Sequence, residues 1–400
     1  MKHHIAFLGS PYQGHVNPTL SVVADLVRRG HRVTYVTTDQ FAERVAATGA
    51  EAVRYTSVWP ADRSAPAEMS ADEMAQGPLQ HLRENIAAAT AAEAELAADL
   101  PDLVVYDALM NFAGKALAEK WKRPAAQSVP MFASNEHFSV LQALAEEFPA
   151  LDPQHPALIQ FGTELAEFRL GQGLSAPGPG DFLAAAEDLN VVFLAEEFQP
   201  AADTFDERYV FVGAGLVDPS TQKPWNPPAD GRPVLLIALG TVFNERPDFY
   251  RACAEAFADL PWHVVMATGH RVDPAELGEL PDHFEVHRHV PQTAVLEHAR
   301  VFVTHAGVRS AMESLHHDTP MVAVPQSVEL DFTARRTAEL GLGLRIARTE
   351  ATPEALRAAV LKAAEDPEIR RRVSEMGRQV RAGGGARRAA DAIEAYLGRG

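Results

Sequence analysis

Four hundred residues are too many for one compact core, so two domains are expected, and 46% hydrophobic with 22% charged residues is ordinary for a globular chain. A formal charge of −18 disfavours nucleic acid or an anionic membrane as partner, since both require a basic face. The single cysteine, Cys253, excludes a disulfide framework and a cysteine-based metal site, and no apolar run reaches membrane-spanning length.

The chain enters a strand at once, His4 to Leu8, without an apolar leader and cleavage site, which predicts a cytoplasmic enzyme or binding protein. Gly9 to Gly14 has the outer spacing of a phosphate-binding P-loop. His15-Val16 replaces its Lys-Ser/Thr, however, and so argues against NTP hydrolysis. No GxGxxG follows any strand, which weakens a dinucleotide oxidoreductase. A helix from about Val16 to Arg29 stops at Gly30, and His31 to Thr37 forms a second strand, giving a right-handed parallel βαβ unit. The pattern repeats through helix 39–48, strand 51–55, a polar interlude 60–77, helix 78–99, strand Leu103–Tyr106, helix 111–121 and strand 124–129. Residues 132–188 read as helices with loops, and strands return at Val191–Leu194 and Tyr209–Val212. Residues 213–232 hold four of the 28 prolines and little apolar periodicity, and read as an interdomain linker.

A second series follows: strand Val234–Leu239, a Gly240-Thr241 turn, helix 246–259 and strand 262–267. Val301–Val303 and Met321–Val324 are continuous apolar runs, as in parallel strands covered on both faces. Helices near 352–364 and 367–381 and an amphipathic one at Ala389–Leu397 close the chain. Two α/β domains of like grammar predict a ligand cleft between them.

His15 opens the first helix beside the C-terminal edge of the first sheet, and Asp107 ends DLVVYD on that edge. Alone, each is equally well explained as a packing residue or a helix cap. Together they make a base whose tautomer is fixed and whose imidazolium is stabilised. In the second domain, Thr304-His305-Ala306-Gly307 ends a strand and opens a helix, where a doubly wound sheet binds ligands. Gly240-Thr241 and Gly307-Val308-Arg309-Ser310 are strand-to-helix turns. Their backbone N–H groups, the Thr241 and Ser310 hydroxyls, His305 and Arg309 together suit a diphosphate. Singly each is ordinary turn chemistry, and convergence is what gives them meaning. Glu313, one turn beyond Ser310, is placed either to accept from vicinal ribose hydroxyls or to serve as a solvated helix charge. Histidines are dense here (His283, His287, His289, His298, His305, His316, His317), but no HExxH, facial carboxylate set or cysteine completes a metal site, so no metal is expected.

GHVNP at 14–18, LLIALGT at 235–241, VPQ at 290–292 and FVTHAGVRSAME at 302–313 followed by TPMVAVPQ resemble the GT-B glycosyltransferases. Within them the chain is similar to macrolide glucosyltransferases and calicheamicin-type (enediyne) deoxysugar transferases. DLVVYD, FQPAADTFDERYVFVG and AADAIEAYL extend the similarity over essentially the whole chain.

The resemblance implies an α/β, GT-B fold of two Rossmann-like doubly wound domains facing a cleft. Residues 1–212 would bind the acceptor and 233–384 the nucleotide sugar, with 385–400 crossing back as a helix to the first domain. It further implies metal-independent, cofactor-free, inverting transfer from a nucleotide sugar to a hydrophobic small molecule; a homodimer stays open. His15 matches the family's base and Asp107 the residue that holds it. His305, Ser310 and Thr241, around Gly307, match the pyrophosphate binders, Glu313 the ribose ligand, Val290 a backbone partner of the base, and Gln292 a neighbour of the ribose. Three departures bear on the donor. His289 replaces a tryptophan that stacks on the pyrimidine, leaving room for a thymine methyl. Arg309 replaces Gly or Asn, adding charge beside the diphosphate. Glu329-Leu330 replaces an acid-Gln pair that bonds sugar hydroxyls, and Leu330 suits a deoxygenated carbon. A dTDP-deoxysugar is therefore favoured over UDP-glucose.

For the acceptor, loops at about 57–80 and 131–170 are expected to supply the pocket. Trp59, Met110, Phe112, Met131, Phe132 and Phe138 are candidate liners, although core packing explains each one at least as well. A polyketide, enediyne or macrolide acceptor follows from resemblance alone. A sugar-nucleotide epimerase would need paired carboxylates by the sugar, and a silent accessory subunit would have lost His15.

Overall fold

The computed structural model describes residues 1–59, 70–144, 147, 150–178, 186–216 and 224–398. The first sheet comprises β1 (His4–Leu8), β2 (Arg32–Thr38), β3 (Glu51–Tyr55), β4 (Leu103–Asp107), β5 (Ala125–Val129), β6 (Asn190–Val192) and β7 (Tyr209–Phe211). Its order is β3-β2-β1-β4-β5-β6-β7, with every pairing parallel. The helices on it are α1 (Gln13–Arg28), α2 (Asp39–Ala46), α3 (Ala71–Leu96), α4 (Asn111–Trp121), α5 (Val140–Ala143) and α6 (Pro156–Gly171). The second sheet holds β8 (Val234–Ala238), β9 (His263–Ala267), β10 (Phe284–His287), β11 (Ala299–Thr304), β12 (Met321–Ala323) and β13 (Gly343–Arg345), again all parallel, in the order β10-β9-β8-β11-β12-β13. Its helices are α7 (Pro247–Phe257), α8 (Gln292–Leu296), α9 (Val308–His316), α10 (Val328–Glu339), α11 (Pro353–Glu365) and α12 (Pro367–Ala382); α13 (Gly385–Leu397) ends the chain.

The apolar strands bury both faces. Ile5 and Phe7 of β1 pack with Val16, Leu20 and Val23 of α1, whereas Ala6 and Leu8 face Leu82 of α3 and Leu117 of α4. The first of these cores also takes in Ala389, Ala390 and Ile393, so α13 leaves the second domain and packs on the first. Ionic contacts pin it there: Arg29 Nη1 lies 2.6 Å from both Asp391 Oδ1 and Glu394 Oε2, and His31 Nε2 lies 2.9 Å from Glu394 Oε1. The domains meet along a further core, in which Val192 and Phe211 of the first sheet pack with Met312 of α9 and Met376 and Val380 of α12.

Several elements differ from the sequence-based expectation. Helix α3 starts at Ala71, inside the interval expected to be a polar interlude, because Ser70 and Glu73 form a reciprocal capping box; residues 60–69 lie outside the described residues. Pro78 therefore sits within the helix rather than at its start. Helix α10 and strand β13 have no counterpart in the expected series. The face α10 buries is Thr333, Ala334 and Thr337, so it carries no apolar stripe to read. Within the interval expected to be a linker, residues 217–223 lie outside the described residues, while Trp225 Nε1 donates to the Glu285 carboxylate of β10 at 3.1 and 3.2 Å. Among the described residues, no helix is long and apolar enough to cross a membrane.

Candidate active site

In each sheet the strand order reverses once, between β1 and β4 in the first and between β8 and β11 in the second, and a crevice opens there at the strand ends. Leu8 pairs with Tyr106, so the loop into α1 and the last residue of β4 are neighbours. His15 in the first turn of α1 and Asp107 meet at this point: His15 Nδ1 lies 3.0 Å from Asp107 Oδ1 and 2.9 Å from Oδ2. Asp107 is only 3% exposed, His15 is 16% exposed, and the Leu109 backbone N–H donates to Asp107 Oδ1 at 3.0 Å. The carboxylate is thus held from two sides. Since it accepts, the network assigns the ring proton to Nδ1 and leaves Nε2 as the acceptor.

On the second sheet Thr304 pairs with Ala238, which brings the Gly240 turn beside the His305 turn. The imidazole of His305 fills the slot between two glycines. A Cβ on Gly240 would lie 2.6 Å from its Nε2, and one on Gly307 would lie 2.7 Å from it; Gly240 also has a φ of +74°. Ala306, fully buried, adopts φ 63° and donates its N–H to Thr304 Oγ1 at 3.3 Å, a local strain that turns the chain sharply from strand to helix. Burial pushes His305 down to about 4, against the opposing effect of its hydrogen bond with the Ala238 backbone. A neutral ring results. Helix α9 begins after Gly307 with no side-chain cap, so no cap occupies its first-turn N–H groups.

The neighbouring groups form one chain of contacts. Gln292 Nε2 donates to Glu313 Oε2 at 2.6 Å and lies 3.3 Å from Ser310 Oγ. Arg309 Nη2 lies 2.5 Å from Glu313 Oε1, but this ion contact is not an aligned hydrogen bond, and Oε1 keeps its acceptor capacity. Glu313 is 3% exposed, so the structure makes it a buried, paired group rather than a solvated helix charge. His289 stands edge-on to His270, with centroids 4.1 Å apart and Nε2 to Nε2 2.6 Å. Burial, His270 and Arg288 all lower its pKa. In the first turn of α10 the Leu330 N–H donates to Ser327 Oγ at 3.3 Å. His15, Thr241, His289, Val290, Gln292, His305, Gly307, Arg309, Ser310, Glu313, Glu329 and Leu330 all line one interdomain cleft of about 2820 Å³.

The acceptor candidates divide. Trp59, Met131 and Phe132 line the cleft, and Trp59 stands edge-on to His81 at 5.6 Å. Met110, Phe112 and Phe138 do not line it, which corrects the expectation for those three. Met110 is 1% exposed, within the core under α4. Phe112 packs edge-on to Phe161 at 5.7 Å, and Phe138 leans on Phe332 of α10 at 6.1 Å. Core and helix–helix contacts take up apolar side chains as readily as a pocket does.

Sequence reasoning missed four residues around the site. Buried Asn244 donates to the Gly240 carbonyl at 2.8 Å and fixes that turn. Glu84, 1% exposed, accepts from Ser57 Oγ at 3.0 Å and the Val58 N–H at 2.8 Å, and so sets the turn leading into Trp59. Asn17 and Arg44 also line the cleft. The motif GHVNP signals Asn17, but nothing local marks the others. Among the described residues, no group of three His, Cys, Asp or Glu side chains is arranged to hold a metal ion.

Comparison with known proteins places this geometry. The family profile for the erythromycin biosynthesis protein CIII-like C-terminal domain matches residues 253–391. The chain is 40% identical over 398 residues to the NDP-glycosyltransferase YjiC of Bacillus licheniformis, covering 98% of each chain. It is 38% identical to the oleandomycin glycosyltransferase of Streptomyces antibioticus, covering 98% of this chain and 91% of that one. The crystal structure of CalG4, the calicheamicin glycosyltransferase, matches at a TM-score of 0.86 and 41% identity, covering 100% of this chain and 99% of that one.

Proposed function

Because the chain belongs to the nucleotide-sugar-dependent glycosyltransferases of the macrolide and natural-product type, we propose that it transfers a sugar, with inversion and without a metal, to a hydroxyl of a hydrophobic natural product. The observation that carries this reading is the placement of the His15–Asp107 pair and the His305 slot on one cleft. His15 Nε2 takes the proton of the acceptor hydroxyl as its oxygen attacks the anomeric carbon, on the side opposite the diphosphate. The bond from that carbon to the diphosphate oxygen breaks in the same displacement, so the configuration inverts. Asp107 stabilises the imidazolium that forms. Charge developing on the leaving diphosphate meets the α9 N–H groups, the His305 ring, and the Thr241 and Ser310 hydroxyls, so the step draws its charge stabilisation from the chain itself. Glu313 takes the ribose, with Gln292 beside it, and His289 and Val290 take the base.

A dTDP-deoxysugar is the favoured donor. Leu330 lines the cleft with a side chain that can bond no sugar hydroxyl, and His289 leaves more room beside the pyrimidine than tryptophan would. Glu329, next to Leu330, retains one carboxylate on that turn, which makes UDP-glucose the second reading. Trp59, Met131 and Phe132 suit a large apolar acceptor such as a polyketide, enediyne or macrolide.

The test is a mass-spectrometric donor screen, UDP-glucose against dTDP-deoxysugars, on wild type, His15→Ala and Leu330→Gln. Wild type should glycosylate a hydrophobic acceptor and His15→Ala should not, while still binding the nucleotide. Turnover by His15→Ala at the wild-type rate would sink the assignment of the base. An unchanged donor preference in Leu330→Gln would remove the deoxysugar argument.

A further inference from the structure

Arg44 is a partly buried cation on the cleft wall. It projects from α2 of the first domain into the cleft, and its Nη2 donates to Oδ1 of Asn17, which is 3% exposed. Its guanidinium lies 6.0 Å from the centre of the Phe41 ring. Among the described residues no carboxylate pairs with it, whereas two other inward-lying arginines of the first domain, Arg29 and Arg169, have carboxylates within 2.6 and 3.1 Å. A guanidinium has five N–H donors, and Asn17 accounts for one here.

The second guanidinium of the region is Arg309, on the opposite wall. Pro18, the residue after Asn17, encloses with Arg309 and Glu313 a void of about 10 Å³, so the two walls touch at the back of the cleft. Burial first, then the Arg309 charge across the cleft, push Arg44 below the usual arginine range. Arg309 has Glu313 as counter-charge; Arg44 has none among the described residues. Arg44 and Arg309 are like charges close enough to feel one another, and of the two only Arg309 is ion-paired, so an anion placed between them satisfies Arg44. The cleft's anion site is the turn at Gly307 to Ser310, on the wall Arg44 faces.

We propose that Arg44, held in place by Asn17, is the first domain's ligand to the diphosphate of the nucleotide sugar, which it binds from the wall opposite α9. This rests on the nucleotide-sugar reading above. It gives the diphosphate a second role: it bridges the domains, with α9 on one side and Arg44 on the other, and relieves the like-charge facing of Arg44 and Arg309. It also gives Asn17 a purpose, since it anchors the guanidinium from inside the turn that carries His15.

The experiment is calorimetric binding of UDP and dTDP, and of uridine and thymidine, to the full chain. The variants are Arg44→Met, Arg44→Gln and Asn17→Ala, each checked for fold by circular dichroism. Wild-type binding of the diphosphates tests the underlying reading; if wild type binds neither, that reading fails whatever Arg44 does. Given such binding, Arg44→Met should weaken the diphosphates by about 10- to 100-fold, the span of one charge-assisted contact, and leave the nucleosides unchanged. Asn17→Ala should weaken them in the same sense and by less. Wild-type diphosphate affinity in Arg44→Met, or an equal loss for nucleoside and diphosphate, would overturn the proposal. If Arg44→Met does not fold, Arg44→Gln is judged by the same two outcomes.

Discussion

The crevice at the end of the first sheet and its counterpart on the second occupy the same topological position, yet each holds its histidine by opposite means. His15 is held by chemistry: a buried carboxylate at 2.9 Å, itself tied to the Leu109 N–H, orients the ring. His305 is held by shape: two glycines leave a slot for the ring, burial lowers its pKa, and the uncapped helix α9 begins just beyond it at Val308. The first arrangement suits a group that gains and loses a proton. The second suits one that stays neutral and meets charge arriving from outside. On the function proposed above, one fold, repeated, supplies a base on one wall and an anion cradle on the other, and the difference lies in which side chains crowd the strand ends.

If that contrast is right, the first crevice should fail by losing its carboxylate. Asp107→Asn preserves the shape but offers an N–H where the ring already carries its proton, and so favours the wrong tautomer. The expected result is a fall in kcat of about 10²- to 10⁴-fold. Affinity for the nucleoside diphosphate should not change, because Asp107 lies behind His15, away from the Gly307 turn. Steady-state kinetics beside calorimetry will separate the two, and an Asp107→Asn enzyme with wild-type kcat would show the pairing to be structural only.

How much of this was legible in the sequence follows the same division. The proposed cradle is readable because each of its two parts is a short continuous run: Thr304 to Ser310 and Gly240-Thr241 announce strand-to-helix turns by residue type alone. The His15–Asp107 pair is 92 residues apart and becomes readable only once both strands are assigned to neighbouring places in one sheet. Helix α10 was invisible because Thr333, Ala334 and Thr337 bury without an apolar signature. The start of α3 was visible in principle, as Ser70-x-x-Glu73, but polar composition outweighed it. Met110 and Phe112 were misplaced because an apolar side chain reads the same in a core and in a pocket. Arg44 reads as a surface charge on a short helix until the second domain is set opposite it.

The second crevice should fail instead by losing its space. In Gly240→Ala the new Cβ would stand 2.6 Å from His305 Nε2, and a backbone at φ +74° disfavours any side chain by about 1–2 kcal/mol. Displacing the ring should raise the donor KM by roughly 10-fold, the effect of one lost hydrogen bond to a charged group, and should lower Tm. The acceptor KM should move far less, since the proposed acceptor liners, Trp59, Met131 and Phe132, belong to the first domain. Equal shifts in both constants would mean that the substitution damages the cleft as a whole, and the separation of roles between the two crevices would be lost.

The smallest effect concerns His305 in the unliganded protein. Its pKa is about 4 in the fold against an ordinary value of 6.5 once unfolded. Between those values the unfolded chain binds a proton that the folded chain refuses. Stability from this source is therefore complete above pH 6.5 and is lost as pH falls towards 4. His316 is also lowered to about 4, by burial first and then by His317 and Arg381, so acid sensitivity in the wild type has more than one origin. The difference between wild type and His305→Gln isolates the slot: between pH 6.5 and 4 the variant's Tm should fall less steeply, by on the order of 2–6 °C over the interval. A bound diphosphate favours the imidazolium, and so UDP should flatten the wild-type curve and leave the slope of the variant nearly unchanged. Parallel curves for the two proteins, with and without UDP, would mean that His305 is neither stripped of solvent nor facing the phosphates, and the contrast with His15 would have no energetic content.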